Sequence, residues 1–236
     1  MAGVIPARYH SSRFPGKVLV PIDGIPMVAR VYSRATKASC LDSVMVATDS
    51  TVVFERLQDM DIPVVMTASH RSGTERVAEV AERGEVTDIF VNIQGDEPFI
   101  DPGVIEEAVG NFLRDSRIRM GTVGSTVFHP GDWVNPDVVK VCVDEHGFAT
   151  DFFRIPGDVD IPTDCYRHVG LYVYTREFLL EFTRMTPTVL EQQRELEQMR
   201  AMEHGVPVKV VVTQYDSFGI DTPKDLQRAQ EILGIA

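Results

Sequence analysis

The chain is poor in cysteine, holds one tryptophan, and has no long apolar run. Its three cysteines, Cys40, Cys142 and Cys165, form an odd set without paired spacing. That argues against a disulfide framework or a zinc knuckle and fits a reducing compartment. No apolar stretch approaches the ~20 residues of a helical membrane span. The opening MAGVIPARYH is too short and too soon charged for a secretory leader. A soluble, cytoplasmic protein is expected. Cations are also scarce: Lys and Arg number 23 against 35 Asp and Glu, a net charge of −12. Such a surface repels nucleic acid and anionic membrane unless a local basic patch overrides it. The first loop carries no GxGxxG, which removes a Rossmann dehydrogenase. It is not a P-loop either, since Ser11 stands where the first glycine belongs and Val18 follows Lys17.

What is there is an ordinary globular composition, 44% apolar and 25% charged over 236 residues, with length enough for one buried core. Apolar runs at Ala2 to Pro6, Val44 to Ala47, Pro63 to Met66 and Asp88 to Gln94 read as strands. They alternate with helical spacing at Pro26 to Ala38, Val52 to Gln58, Thr74 to Arg83 and Asp101 to Arg114, with Thr74 and Asp101 as the expected caps. That rhythm predicts an α/β fold, a mostly parallel sheet with helices on both faces. After residue 117 strands dominate, at Met120 to Val127, Val138 to Val143, Ala149 to Arg154 and Arg167 to Thr175. Helices at Arg176 to Phe182 and Thr188 to His204, a strand at Lys209 to Thr213 and a helix at Pro223 to Leu233 complete the chain. The expectation is a single domain, residues 1–236: a core from about 1–117 and 205–236, and a smaller β-rich subdomain from about 118–204.

The loop from Pro6 to Lys17 lies past a strand's carboxyl end, where doubly wound sheets bind ligands. Residues 1–22 contain Arg8, Arg13 and Lys17 and no carboxylate. Cations, the Ser11 and Ser12 hydroxyls and backbone N–H groups together suit a polyphosphate; a solvated basic loop is the competing reading. Asp96, in Gly95-Asp96-Glu97-Pro98, follows a buried strand, where a carboxylate can hold Mg²⁺ against phosphate oxygens. A helix-leading acid is the alternative there. Asp221, before Thr222 and Pro223, is a second such acid or a helix cap, and only the fold can bring it to Asp96. The turn from Ser69 to Arg76 suits a base edge or an anion at a helix start, or is simply a capped turn. Arg154 and Arg167 can fork a carboxylate. A lone histidine such as His168 is more often structural than catalytic, and Glu197 and Gln198 fall in a charged helix whose default is a solvated face.

Eight segments then occur in order: IPARYHSSRFPGK (5–17), VATDS (46–50), HRSGTER (70–76), VNIQGDEPFI (91–100), NPDVVKV (135–141), YRHVGLYVY (166–174), LEQMR (196–200) and GIDTPKDL (219–226). Together they resemble the CMP-Kdo synthetases (3-deoxy-manno-octulosonate cytidylyltransferases) over nearly the whole chain. The resemblance implies a glycosyltransferase-A-like nucleotidyltransferase fold, a Mg²⁺ requirement and a homodimer, with acceptor and dimer contacts in the β-rich subdomain. It implies transfer of CMP from CTP to the anomeric hydroxyl of an acidic sugar, releasing pyrophosphate. Nucleotide binding would fall to Ala7, Arg8, Ser12, Arg13, Lys17, Arg71, Ser72, Gly73 and Gln94. Asp96 and Asp221 would carry metal and, with Lys17 and Arg13, catalysis. Gln94, Arg154, His168, Glu197 and Gln198 would face the acceptor. The match departs at Phe153, where the family has Ser before the arginine, and in the short acidic run from Asp158 toward Arg167. An amino-Kdo analogue, another ulosonic acid or a phosphonate is therefore an alternative acceptor. A sugar-nucleotide-dependent glycosyltransferase and a non-catalytic nucleotide-binding protein are the further rivals. The expected partners are CTP and a small acid, with neither nucleic acid nor membrane.

Overall fold

Val4, Ile5, Val46, Ala47, Val91 and Ile93 expose no surface, as strands covered on both faces require. The computed structural model describes residues 1–10, 14–84, 87–155, 162–216 and 219–234. Its first part runs β1 (Ala2–Pro6), a 3-10 turn (Lys17–Leu19), a small hairpin of β2 (Pro21–Ile22) and β3 (Ile25–Pro26), α1 (Met27–Ala35), β4 (Ser43–Thr48), α2 (Thr51–Gln58), β5 (Val64–Met66), α3 (Gly73–Arg83), β6 (Ile89–Ile93) and α4 (Pro102–Phe112). Then come β7 (Met120–Ser125), β8 (Lys140–Val143), β9 (Ala149–Phe153), β10 (Cys165–Thr175), α5 (Arg176–Phe182), α6 (Val189–Arg194), α7 (Gln198–Glu203), β11 (Val208–Thr213) and α8 (Pro223–Leu233).

The main sheet has the order β11-β7-β10-β6-β1-β4-β5, with β8 joined to β10 and β9 to β8. β1 is parallel to both β4 and β6, β4 to β5, and β7 to β11. β10 runs antiparallel between β6 and β7. One face is covered by apolar residues of α1, α2 and α4, the other by those of α3, α5 and α7. This is the mostly parallel, two-faced α/β architecture expected from the strand–helix rhythm. Among the described residues no helix is long and apolar enough to cross a membrane.

Three local expectations change. The helix expected from Thr188 to His204 is two short helices, because Glu195 adopts a left-handed conformation (φ 54°) that ends α6. The break turns the next residues inward, and Gln198 is buried. Ser72, not Thr74, caps α3: its Oγ accepts the Glu75 N–H at 3.2 Å, which releases the Thr74 hydroxyl for another partner. Cys142 and Cys165, read from their spacing as unpaired, form a disulfide between β8 and β10. Strand register places them directly opposite each other, with Cα atoms 4.0 Å apart, and separation along the chain carries no information about that register.

Candidate active site

The parallel neighbours β1 and β6 end side by side, and their carboxyl ends open into a crevice of about 420 Å³ lined by Arg8, Lys17, Ser72, Gln94, Asp96 and Asp221, among others. Two glycines shape its floor. A Cβ at Gly95 would stand 2.9 Å from the Pro6 carbonyl oxygen, so only glycine lets the two strand ends approach so closely. Gly16 has φ 71° and returns its N–H to the Tyr9 carbonyl at 3.0 Å, reversing the first loop and delivering Lys17 to the crevice.

Lys17 Nζ lies 2.6 Å from Asp96 Oδ2 and 2.6 Å from Asp221 Oδ1. The fold thus joins two acids that lie far apart along the chain. Asp221 is held there by the Ile220 N–H, which donates to the Asp96 carbonyl at 2.8 Å, and by Ile220 packing against Ile22, Met27 and Ala229. The capping alternative for Asp221 is resolved by Thr222. Its Oγ1 accepts the Asp225 N–H, and Asp225 accepts the Thr222 N–H in return. Burial alone would lower the Lys17 pKa, but Asp96 and Asp221 outweigh it and raise it. Two carboxylates converging on one cation suit Mg²⁺, which takes one or two protein carboxylates and completes its shell with waters and phosphate oxygens. Among the described residues no group of three or more His, Cys, Asp and Glu side chains is placed to hold a metal ion. Glu97, beside this pair, is pushed up to about 7 by burial and then by Asp96, and its Oε2 has no hydrogen-bond partner among the described residues.

The other candidate residues fall around this centre. Ala7 is buried, and its N–H donates to the Ala47 carbonyl at 2.8 Å, so it shapes the strand end through its backbone. Arg8 is exposed at the rim, and Ser12 and Arg13 lie outside the described residues. Arg71, Ser72 and Gly73 line the crevice where α3 begins, with the Arg71 guanidinium turned outward to Glu75. Glu197 accepts the Ser72 hydroxyl at 2.9 Å and the Thr74 hydroxyl at 2.6 Å. Burial raises its carboxyl pKa against those two hydrogen bonds. Gln94 lines the crevice next to Gly170, and Arg154 donates to the carbonyls of Pro136, Arg194 and Glu195.

Arg167 is buried and bonded to Asp216 at 2.9 Å and to the Val127 carbonyl at 2.9 Å, so these contacts, not a carboxylate fork with Arg154, engage its guanidinium. His168 packs against Phe152 and Tyr172, with Nε2 2.9 Å from Thr122 Oγ1. Burial, then Arg167, pushes its pKa down to about 3, so it is a neutral hydrogen-bonding group. Sequence reasoning passed over the charge network in which Asp49 pairs with Arg76 and Glu79 with His70, the arginine and the histidine both lining the crevice. Arg76 and Glu79 stand three apart on α3 and both face inward, which an ordinary charged helix face does not announce.

A family model described as cytidylyltransferase matches residues 2–210. A 3-deoxy-manno-octulosonate cytidylyltransferase of Geobacter metallireducens is 46% identical over 248 residues, spanning 99% of this chain and 97% of that relative. One of Solibacter usitatus is 46% identical over 235 residues, spanning 98% and 93%. Among solved structures, a CMP:2-keto-3-deoxy-manno-octonic acid synthetase complexed with CTP aligns with a TM-score of 0.91 and 35% identity, covering 99% of this chain and 98% of that one. An inositol-1-phosphate CTP transferase from T. maritima, at 16% identity and a TM-score of 0.67, shares the fold.

Proposed function

This chain belongs to the cytidylyltransferase family, among the 3-deoxy-manno-octulosonate cytidylyltransferases, and we propose that it transfers CMP from CTP to the anomeric hydroxyl of Kdo, releasing pyrophosphate, with Mg²⁺ at Asp96 and Asp221. Membership makes it a CTP-dependent nucleotidyltransferase, which sets aside the glycosyltransferase and the non-catalytic protein. The observation that carries the finer reading is the convergence of Asp96 and Asp221 on one cation in the crevice above β1 and β6.

Mg²⁺, when bound, offsets charge on the α-phosphate and lowers the pKa of the attacking hydroxyl. The chain's own groups position and neutralise. Lys17, with Arg8 and Arg13 on the carboxylate-free loop, stabilises the departing pyrophosphate. Arg71 to Gly73 meet the cytosine edge. Gln94, Arg154, Glu197 and Gln198 orient the acceptor, and His168 offers it a hydrogen bond without charge. No covalent protein nucleophile is required, because in-line attack at phosphorus needs alignment and charge stabilisation. The working form we propose is a cytoplasmic homodimer whose contacts lie within about residues 118–204; sedimentation velocity checks the dimer.

The test is CTP-dependent pyrophosphate release over a panel of acids with Mg²⁺. Kdo should be the best acceptor and CTP the best donor. Equal use of CTP, UTP and ATP would overturn the cytidylyl reading. A second acceptor reading has an observation of its own. The Phe153 ring packs edge-on against Trp133, centroids 5.8 Å apart, so the position before Arg154 offers no hydroxyl to the sugar. If amino-Kdo or another ulosonic acid outperforms Kdo in the panel, that reading replaces the first.

A further inference from the structure

Several polar residues of the VATDS and HRSGTER segments and of α3 have no part in the chemistry above. Glu79 is only 9% exposed, although it is a carboxylate on a helix. Its Oε2 and Oε1 accept the Ala68 N–H at 2.9 and 3.2 Å, and the same group pairs with His70 Nε2 and with Arg83. One turn earlier Glu75 accepts the Arg71 N–H at 3.0 Å. Arg76, 3% exposed, donates to the Thr67 hydroxyl and the Ala68 carbonyl and pairs with Asp49 at 3.2 Å. Residues 67–71 leave the sheet after the Thr67 N–H bonds the Thr48 carbonyl. From there to the Ser72 cap, side chains of α3 hold them. Burial alone would raise the Glu79 pKa, but His70, the Ala68 N–H and Arg83 outweigh it and lower it. A buried ion pair is weak evidence of added stability, and what Glu79 does here is hold the Ala68 N–H and the His70 ring in place.

We infer that Glu79 is a positioning residue for base selection: with Arg76, which holds the Ala68 carbonyl of the same loop, it sets the backbone path of residues 68–73, along which cytosine is read. The inference rests on the reading that Arg71 to Gly73 meet the base. Cytosine and uracil differ along that edge by an amino donor against a carbonyl acceptor. Discrimination therefore depends on where the partnering backbone groups sit. Glu79→Gln keeps the volume but loses the charge, and one neutral amide oxygen cannot serve Ala68, His70 and Arg83 together.

The experiment measures kcat and KM for CTP and for UTP, with the best acceptor and Mg²⁺, in the native protein and in Glu79→Gln. The expected result is a CTP KM raised about tenfold, kcat within about twofold, and a CTP-over-UTP preference reduced about tenfold. A core variant, Leu57→Ala, should lower the melting temperature and leave the preference intact, which separates positioning from general destabilisation. Should Glu79→Gln fail to fold, His70→Asn tests the same clamp from the loop side and should shift the preference likewise. A folded Glu79→Gln protein with native KM and native preference overturns the inference. A native protein that uses CTP and UTP equally overturns the base-reading premise, and the inference with it.

Discussion

Lys140 exposes no surface, yet it ends in an ammonium group that donates to the carbonyls of Asn135 at 2.8 Å and Arg154 at 2.7 Å. It ties the turn before β8 to the residue that follows β9. Burial pushes its pKa down from 10.5 to about 8. Between those values the unfolded chain binds more protons than the folded one, so Lys140's contribution to stability is least favourable below pH 8 and improves as pH rises toward 10.5. The whole interval is worth at most about 3.4 kcal/mol, of which about 1.4 kcal/mol is regained between pH 7 and pH 9. Lys140→Met removes that dependence but strands two carbonyls, at a cost of roughly 1–3 kcal/mol each. Near pH 7 the two effects largely offset each other. On raising the pH to 9, native stability should gain about 1.4 kcal/mol relative to the variant. Urea unfolding at pH 7, 8 and 9 measures this. Trp133, the single tryptophan, lies between Phe128 and Phe153 beside the tethered segment and serves as the fluorescence reporter. Parallel stability–pH curves for the two proteins would refute the reasoning.

Asp96→Asn should leave a folded protein whose pyrophosphate release is lower by about a thousandfold or more; near-native turnover would sink the metal assignment. Glu97, held at about 7 against an ordinary 4.5, binds the extra proton in the folded state. Its contribution is therefore fully present below 4.5 and lost as pH rises through about 7. Glu97→Gln, unfolded in metal-free buffer, should flatten that loss, and an unchanged pH profile would count against it. Gly95→Ala places a Cβ 2.9 Å from the Pro6 carbonyl, a backbone atom that cannot swing aside. It should cost about 1–3 kcal/mol and raise the KM for CTP; native melting temperature and KM together would contradict the close approach of β1 and β6.

The parallel core was legible because its strands are apolar on both faces: Val4, Ile5, Val46 and Val91 need no partner to declare themselves buried. The site was legible in pieces. Asp96 announced itself by following such a strand. Asp221 could have been a cap until Thr222 took that role, and its approach to Asp96 depends on contacts between α8 and the β2–β3 hairpin that no local pattern encodes. The disulfide was illegible for the same reason, since register and not spacing opposes Cys142 to Cys165. The break at Glu195 was missed because a left-handed residue there is not glycine. Glu79 and Arg76 were missed because two buried charges whose partners include Asp49, Thr67 and Ala68, off the helix, look in sequence like a wet helix.

β10 changes partners along its eleven residues. Its first residues pair with β8, its middle and end with β7, and Leu171 to Thr175 with β6. One uninterrupted backbone thus serves the disulfide-tied wing and the centre of the nucleotide sheet. β10 therefore cannot be divided between an exchanged module and a retained core. A recombination border placed within 165–175 would sever the sheet in its middle, whereas borders within 126–139 and 154–164 would leave every described strand whole. Changes of acceptor in this scaffold, by design or by descent, should therefore accumulate in those two connections while β10 stays fixed.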